Sequence, residues 1–175
     1  GNTIKGIKRI LKPLFEENDK ILNWKKIELP LPPKPRKYYK SKEDTVKIVK
    51  ALNSYYHPVA RAVFKFLLTG RRVNEILYLE HENIDYKNMK FKILAKYAKT
   101  NKDFEFPLTQ VLIDAIKEQK TSHGRIFKLE HRMILEHFKS AMSEIGIYDM
   151  VVHDIRSMVA QTALDNGASI YDVSK

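Results

Sequence analysis

The sequence contains no cysteine. A disulfide framework, a thiol nucleophile and a cysteine-ligated zinc site are thereby excluded. Its six histidines include no His-x-x-x-His pair, so the ligand spacing of a metal hydrolase is missing and neither a metal nor another cofactor is expected. No apolar run approaches the roughly 20 residues of a membrane span, and Gly1-Asn2-Thr3-Ile4-Lys5-Gly6 is not a signal core. The expectations are no membrane contact and a cytoplasmic location. The first residue is glycine rather than methionine, which reads as a processed or engineered end. Internal repeats and low-complexity tracts are also absent.

What is present is a globular composition. The 175 residues are 43% apolar and 30% charged, and a chain of this length buries roughly 70% of its unfolded surface without staples. Lys and Arg number 32 against 21 Asp and Glu, a net charge of +11, beyond the magnitude of about 2–8 common in small domains. The excess is uneven: residues 1–50 hold 14 basic and 6 acidic side chains, and Lys87 to Lys102 carries six lysines and no acid. A polyanion, nucleic acid above all, is the natural partner of such a chain, with a merely solubilising surface as the alternative.

Periodicity places the elements. Ile7, Ile10, Leu11, Leu14 and Phe15 recur at helical spacing over residues 4–22, with Pro13 predicting a kink or early stop. Residues 28–40 hold four prolines and the cations Lys34, Arg36, Lys37 and Lys40, the pattern of a semi-rigid basic strut. It reads equally as a strap along a phosphate backbone and as a spacer. Ser41 then caps a helix, with Asp44 three residues on and Val46, Ile48, Val49 and Leu52 as its buried face. Pro58 opens a helix that is apolar nearly all round, hence central, and closed by Gly70. A short helix spans about Arg72 to Tyr78. Met89, Phe91 and Ile93 alternate with Lys90 and Lys92, a strand with a wet basic face, and Phe104 and Phe106 alternate with acids. The two predict a hairpin with a lysine-rich tip. Thr109 caps a helix over 110–119. Another covers 130–145, with Ile134, Leu135, Phe138 and Met142 inside and Gly146 at its end. The last runs from near His153 to Asn166-Gly167.

Three places carry chemistry. Thr69-Gly70-Arg71-Arg72-Val73-Asn74-Glu75 delivers two arginines to a helix start, where anions are favoured. Arg72 and Glu75 share a face there, so the carboxylate is placed to orient the guanidinium, or simply to form an intrahelical ion pair. The hairpin tip presents Lys96, Lys99 and Lys102. His153 and Arg156, at i and i+3 on a helix start, are placed to meet one anion, with the imidazole able to shuttle a proton near neutral pH.

In this order the three places resemble the boxes of the tyrosine recombinases, the phage-integrase family of site-specific DNA recombinases. Phe66 to Leu77 is similar to the first-arginine box, Lys99-Thr100-Asn101-Lys102 followed by Phe106-Pro107-Leu108 to the lysine hairpin, His153-Asp154-Ile155-Arg156 to the His-x-x-Arg box, and Asp165 to Lys175 to the stretch after it. The resemblance covers about residues 36–175. It implies an α+β fold, mainly helical, with a small antiparallel sheet or hairpin. It further implies that 1–27 is the last helix of an upstream core-binding domain, 28–40 the linker, and 41–175 a catalytic domain incomplete at its C-terminus.

The resemblance also assigns roles. Arg72 and Arg156 correspond to the arginines that grip the scissile phosphate, Lys99 to the general acid for the departing 5′-oxygen, His153 to the phosphate-contacting histidine and Glu75 to the acid that supports the site. Lys96 and Lys102 remain alternatives to Lys99. Arg71, Lys96, Lys102, Lys34, Arg36 and Lys37 are expected to bind double-stranded DNA, on which the family assembles as tetramers. The family's next His or Trp and its nucleophilic tyrosine fall beyond Lys175, and Ser157 stands where relatives often carry a second His or a Lys. The implied activity is strand cleavage and rejoining through a 3′-phosphotyrosyl intermediate, with this chain itself unable to cleave. The alternative is an integrase-like DNA-binding protein without catalysis.

Overall fold

The computed structural model describes residues 2–17, 40–98 and 101–170. The chain divides into two compact units, Gly1–Lys37 and Tyr38–Lys175. In the first, helix α1 spans Asn2–Glu17 and contains Pro13. The expected stop does not occur. A proline ring forfeits one backbone hydrogen bond and crowds the preceding turn, yet helical geometry continues four residues past it. Ile10, Leu11 and Leu14 are exposed. Residues 18–22 of the expected helix, and Lys34, Arg36 and Lys37 of the strut, lie outside the described residues.

The second unit begins with α2 (Lys42–Asn53), where Ser41 Oγ accepts the Asp44 N–H at 3.0 Å. Ile48 and Leu52 are buried, but Val46 is exposed. Two residues before Ile48 on a 100° helical step, it lies on the opposite side of the helix, which corrects its expected place in the buried face. Next comes α3 (Pro58–Leu67), capped by His57, whose Nδ1 accepts the Ala60 N–H at 3.2 Å. Its apolar surround is explained by its place: α3 packs on α2, on α4 (Val73–Leu77) and on α5 (Gln110–Lys117). Phe66 meets Phe91 and Phe127 edge-on, with ring centroids at 5.4 and 5.3 Å. These rings and Phe64 against Phe138 form the centre of the core.

A 3-10 turn at His81–Asn83 leads into a three-stranded antiparallel sheet in the order β1 (Ile84–Asp85), β2 (Lys90–Ile93), β3 (Phe104–Pro107). The expected hairpin is β2–β3, and β1 adds a strand of two residues, too short to leave an alternation. Met89 is not part of the strand; it is exposed, with φ +52 in the turn before β2. Phe91 and Ile93 face the core. On the other face, cross-strand ion pairs bind Lys90 to Glu105 at 3.0 Å and Lys92 to Asp103 at 2.7 Å. That face is therefore neutralised rather than basic. Two further helices, α6 (His131–Glu144) and α7 (Asp154–Asp165), complete the unit. Ile134, Phe138 and Met142 of α6 are buried, whereas Leu135, expected among them, is exposed.

Candidate active site

The site is organised by the turn after α3. Gly70 has φ +82, a left-handed backbone that a side chain makes costly. Its carbonyl points at α7 and accepts Arg156 Nη1 at 2.8 Å. One arginine of the expected pair thus binds the turn that presents the other, although the two stand far apart in the chain. Arg72 is the N-cap residue of α4. Glu75, nearly fully buried, receives two hydrogen bonds from it: Oε2 accepts the Arg72 backbone N–H at 2.9 Å and Oε1 accepts Arg72 Nη1 at 2.8 Å. One carboxylate therefore satisfies an open helix-end donor and fixes the direction of the guanidinium, which remains partly exposed. Two alternatives left open by the sequence, ion pair and orienting carboxylate, are one arrangement here.

Arg71 is more enclosed. Its guanidinium lies 4.0 Å from the centroid of Phe106, and Nε donates to the Thr69 carbonyl at 3.4 Å. Burial, and next the charge of Arg156, hold its pKa below the usual arginine range.

His153 stands at the start of α7. The loop before it is closed by Asp154, a buried carboxylate whose Oδ2 accepts the Val151 N–H at 2.8 Å. His153, Arg72 and Glu75 line one open cleft of about 620 Å³, together with Tyr97, Ala98 and His131. Smaller cavities of about 250 Å³ along β1–β2 and 260 Å³ between α2 and α7 gather neither arginine. Arg156 stands behind the cleft, reaching it through Gly70 rather than lining it.

Lys99 lies outside the described residues, and its neighbour Ala98 lines the cleft. Lys96 and Lys102 are exposed and are not among the cleft-lining residues. Lys96 Nζ lies 4.7 Å from the Tyr97 ring centroid, and the Tyr97 hydroxyl beside it holds its ammonium above the usual lysine range. A raised pKa makes it the poorer proton donor near neutral pH.

Sequence reasoning overlooked Tyr97, His131 and Asp154. A carboxylate that accepts the N–H three residues back leaves a local signal, since Asp at a helix start is a common capping partner. Nothing periodic marks Tyr97 or His131, because their place depends on packing between distant elements. Among the described residues, no three His, Asp or Glu side chains gather into a metal-holding group.

The arrangement can hold a phosphoryl group: the Arg72 guanidinium and the His153 imidazole line the cleft, a buried carboxylate orients the Arg72 fork, and Arg156 of α7 is tied to the Gly70 turn beside them. No curated protein sequence matches the chain. Among solved structures it is similar to XerA recombinase, at 18% identity and a TM-score of 0.63 over 95% of this chain and 62% of that one. It is also similar to the integrase of mycobacterium phage Brujita, at 19% identity and a TM-score of 0.65 over 92% of this chain and 56% of that one. A lambda integrase tetramer bound to a Holliday junction aligns at 14% identity and a TM-score of 0.70, over 96% of this chain and 54% of that one. The chain thus spans about half to three-fifths of the length of these neighbours, and the likeness shows a shared fold, the mainly helical domain with a small antiparallel sheet. The sequence pattern of the phage integrase family matches residues 41–175, and the chain belongs to that family.

Proposed function

We propose that the protein is a site-specific DNA recombinase that breaks and rejoins a phosphodiester through a 3′-phosphotyrosyl link. The observation that carries the reading is the Gly70 turn, which Arg156 grips from α7 while Arg72 leaves it into the cleft that His153 lines. Negative charge grows on the non-bridging oxygens as an oxygen nucleophile adds to phosphorus, and two fixed guanidinium forks stabilise that charge without reorganising. Glu75 keeps the Arg72 fork aimed, acting through the arginine rather than on the DNA.

In the proposed reaction a tyrosine oxygen bonds to phosphorus and loses its proton toward His153. The bond from phosphorus to the 5′-oxygen breaks, and an ammonium proton from Lys99 passes to that oxygen, which leaves as a hydroxyl. Arg71, Lys96, Lys102, Lys34, Arg36 and Lys37 are assigned to DNA contact. Among the described tyrosines only Tyr97 lines the cleft, and its ring is held in a stack with Tyr78. The nucleophile is therefore assigned to a tyrosine other than the described ones. As a separate reading, taken from the family resemblance, residues 1–175 alone bind DNA without cutting it. Neighbours seen as a tetramer on a Holliday junction and on transposon-end DNA support double-stranded DNA as partner and assembly of several copies upon it.

The test is covalent trapping. The product of the whole reading frame, incubated with a nicked duplex that loses its leaving strand, is expected to form a detergent-resistant protein–DNA adduct, abolished in Arg72→Ala. Tight binding of duplex DNA without any adduct refutes catalysis and leaves a DNA-binding member of the family.

A further inference from the structure

We infer that Tyr97 is a positioning residue: by stacking on Tyr78 it holds the β2–β3 turn against the helix that carries Arg72, so that the lysine presented by that turn meets the leaving oxygen. This role rests on the recombinase reading given above. The Tyr78 and Tyr97 rings lie within 6° of parallel, with centroids 4.6 Å apart. Each ring also meets a cation: Arg125 lies 5.0 Å from the Tyr78 ring centroid, and Lys96 lies 4.7 Å from that of Tyr97. Arg125 is itself anchored, its Nε donating to the Leu77 carbonyl at 3.0 Å. Tyr78 caps the C-terminal end of α4, its N–H donating to Asn74 O at 3.2 Å. The stack therefore ties the turn to the same short helix whose first turn holds Arg72.

The turn is built to transmit that anchor. The Tyr97 N–H donates to Leu94 O at 2.9 Å and the Ala98 N–H to the same oxygen at 3.2 Å, while the Asn101 N–H reaches back to Ala98 O at 3.2 Å. Asp103 closes the base, accepting the Ala95 N–H at 2.7 Å and pairing with Lys92. Among the described residues of this turn, Tyr97 is the side chain that both lines the cleft and stacks on Tyr78 at the end of α4. Lysine stems are flexible, and a shift of roughly 1 Å in a reacting group costs on the order of 10²-fold in rate. A turn held rigid on its described side by the Tyr97 stack removes part of that loss.

Single-turnover cleavage by the product of the whole reading frame tests this, on a nicked duplex with the ordinary ester and on one with sulfur replacing the bridging 5′-oxygen. A thiolate leaves without a proton, so the sulfur substrate reads phosphate gripping and attack but not general-acid delivery. Tyr97→Leu is expected to slow the ordinary ester by about 10–100-fold while leaving the sulfur ester near the wild-type rate. Tyr78→Leu, which breaks the same stack from the other side, should reproduce that selective defect, and Tyr97→Phe, which keeps the ring, should retain cleavage. Equal slowing of both substrates, or an unimpaired Tyr97→Leu beside a slow Lys99→Ala, overturns the positioning role. An unimpaired Lys99→Ala, or no adduct from the wild type, overturns the assigned reaction itself and this role with it.

Discussion

Replacing Gly70 with alanine tests whether the backbone of one turn, rather than its packing, holds the site together. Gly70 has φ +82, and its carbonyl accepts Arg156 Nη1 at 2.8 Å. A Cβ at this position would stand 3.4 Å from Val159 Cγ1, which is ordinary contact. The cost is therefore conformational: a left-handed alanine is disfavoured by roughly 1–2 kcal/mol. Any rotation that relieves it turns the carbonyl away from Arg156, forfeiting part of a charged hydrogen bond worth about 1.5–3 kcal/mol. The expected net loss is about 1–3 kcal/mol, or on the order of 3–10 °C in melting temperature for a unit of this size. Thermal unfolding measures it, and the Gly70→Ala, Val159→Ala double variant separates the causes. Strain in φ predicts that trimming Val159 restores nothing. An unchanged melting temperature in the single variant, or full recovery in the double, refutes the backbone argument.

Glu75→Gln keeps the shape but removes the charge that both Arg72 donors meet. Because the guanidinium is partly solvated, the expected stability loss is modest, about 1–2 kcal/mol, measured by denaturant unfolding. An Arg72→Ala background should remove most of it, and failure to do so would place the carboxylate's role elsewhere. Acid should also weaken the fold before its carboxylates titrate. His137 packs on His57 with ring centroids 4.3 Å apart, beside the Tyr55 hydroxyl and on the same helix as Glu136. Burial first, and the His57 charge second, hold its pKa below the usual histidine value. The unfolded chain then takes up the proton first, so this stability is full above about pH 6.5 and is lost as pH falls from there through the depressed folded value. His137→Gln should flatten the melting temperature between pH 7 and 5, and an unchanged slope would count against the histidine pair. Duplex DNA affinity should fall steeply with added salt as phosphate contacts release counterions. A flat response in a salt titration would contradict a phosphate-gripping surface.

The Lys90–Glu105 and Lys92–Asp103 pairs redirect the electrostatic argument. Four charges on the outer face of the hairpin cancel, so the net charge of +11 is not available to DNA from that face. Among the described residues, the acid paired with the Arg72 guanidinium is the orienting Glu75, and the guanidinium stays partly exposed. Charge density along the chain therefore overstates the basicity of the strand and understates that of the cleft.

Local chemistry made much of this protein legible in one dimension. Ser41, Pro58 and Gly70 mark helix ends because capping oxygens, a fixed φ and a missing Cβ act within a few residues. The all-round apolar α3 announced its central place, and the Arg72–Glu75 spacing announced the pair that the structure joins, whereas His153 lines the cleft and Arg156, three residues on, turns to Gly70 instead. Which of these pairs meet was decided by the tertiary structure alone. Arg156 binds Gly70 across 86 positions, Tyr97 finds Tyr78 from another element, and Leu135 turns to the cleft rather than the core. Periodicity reports which side of an element is apolar, but not what covers it. That depends on how helices and strands far apart in the chain pack against one another, and the cleft exists only at their junction.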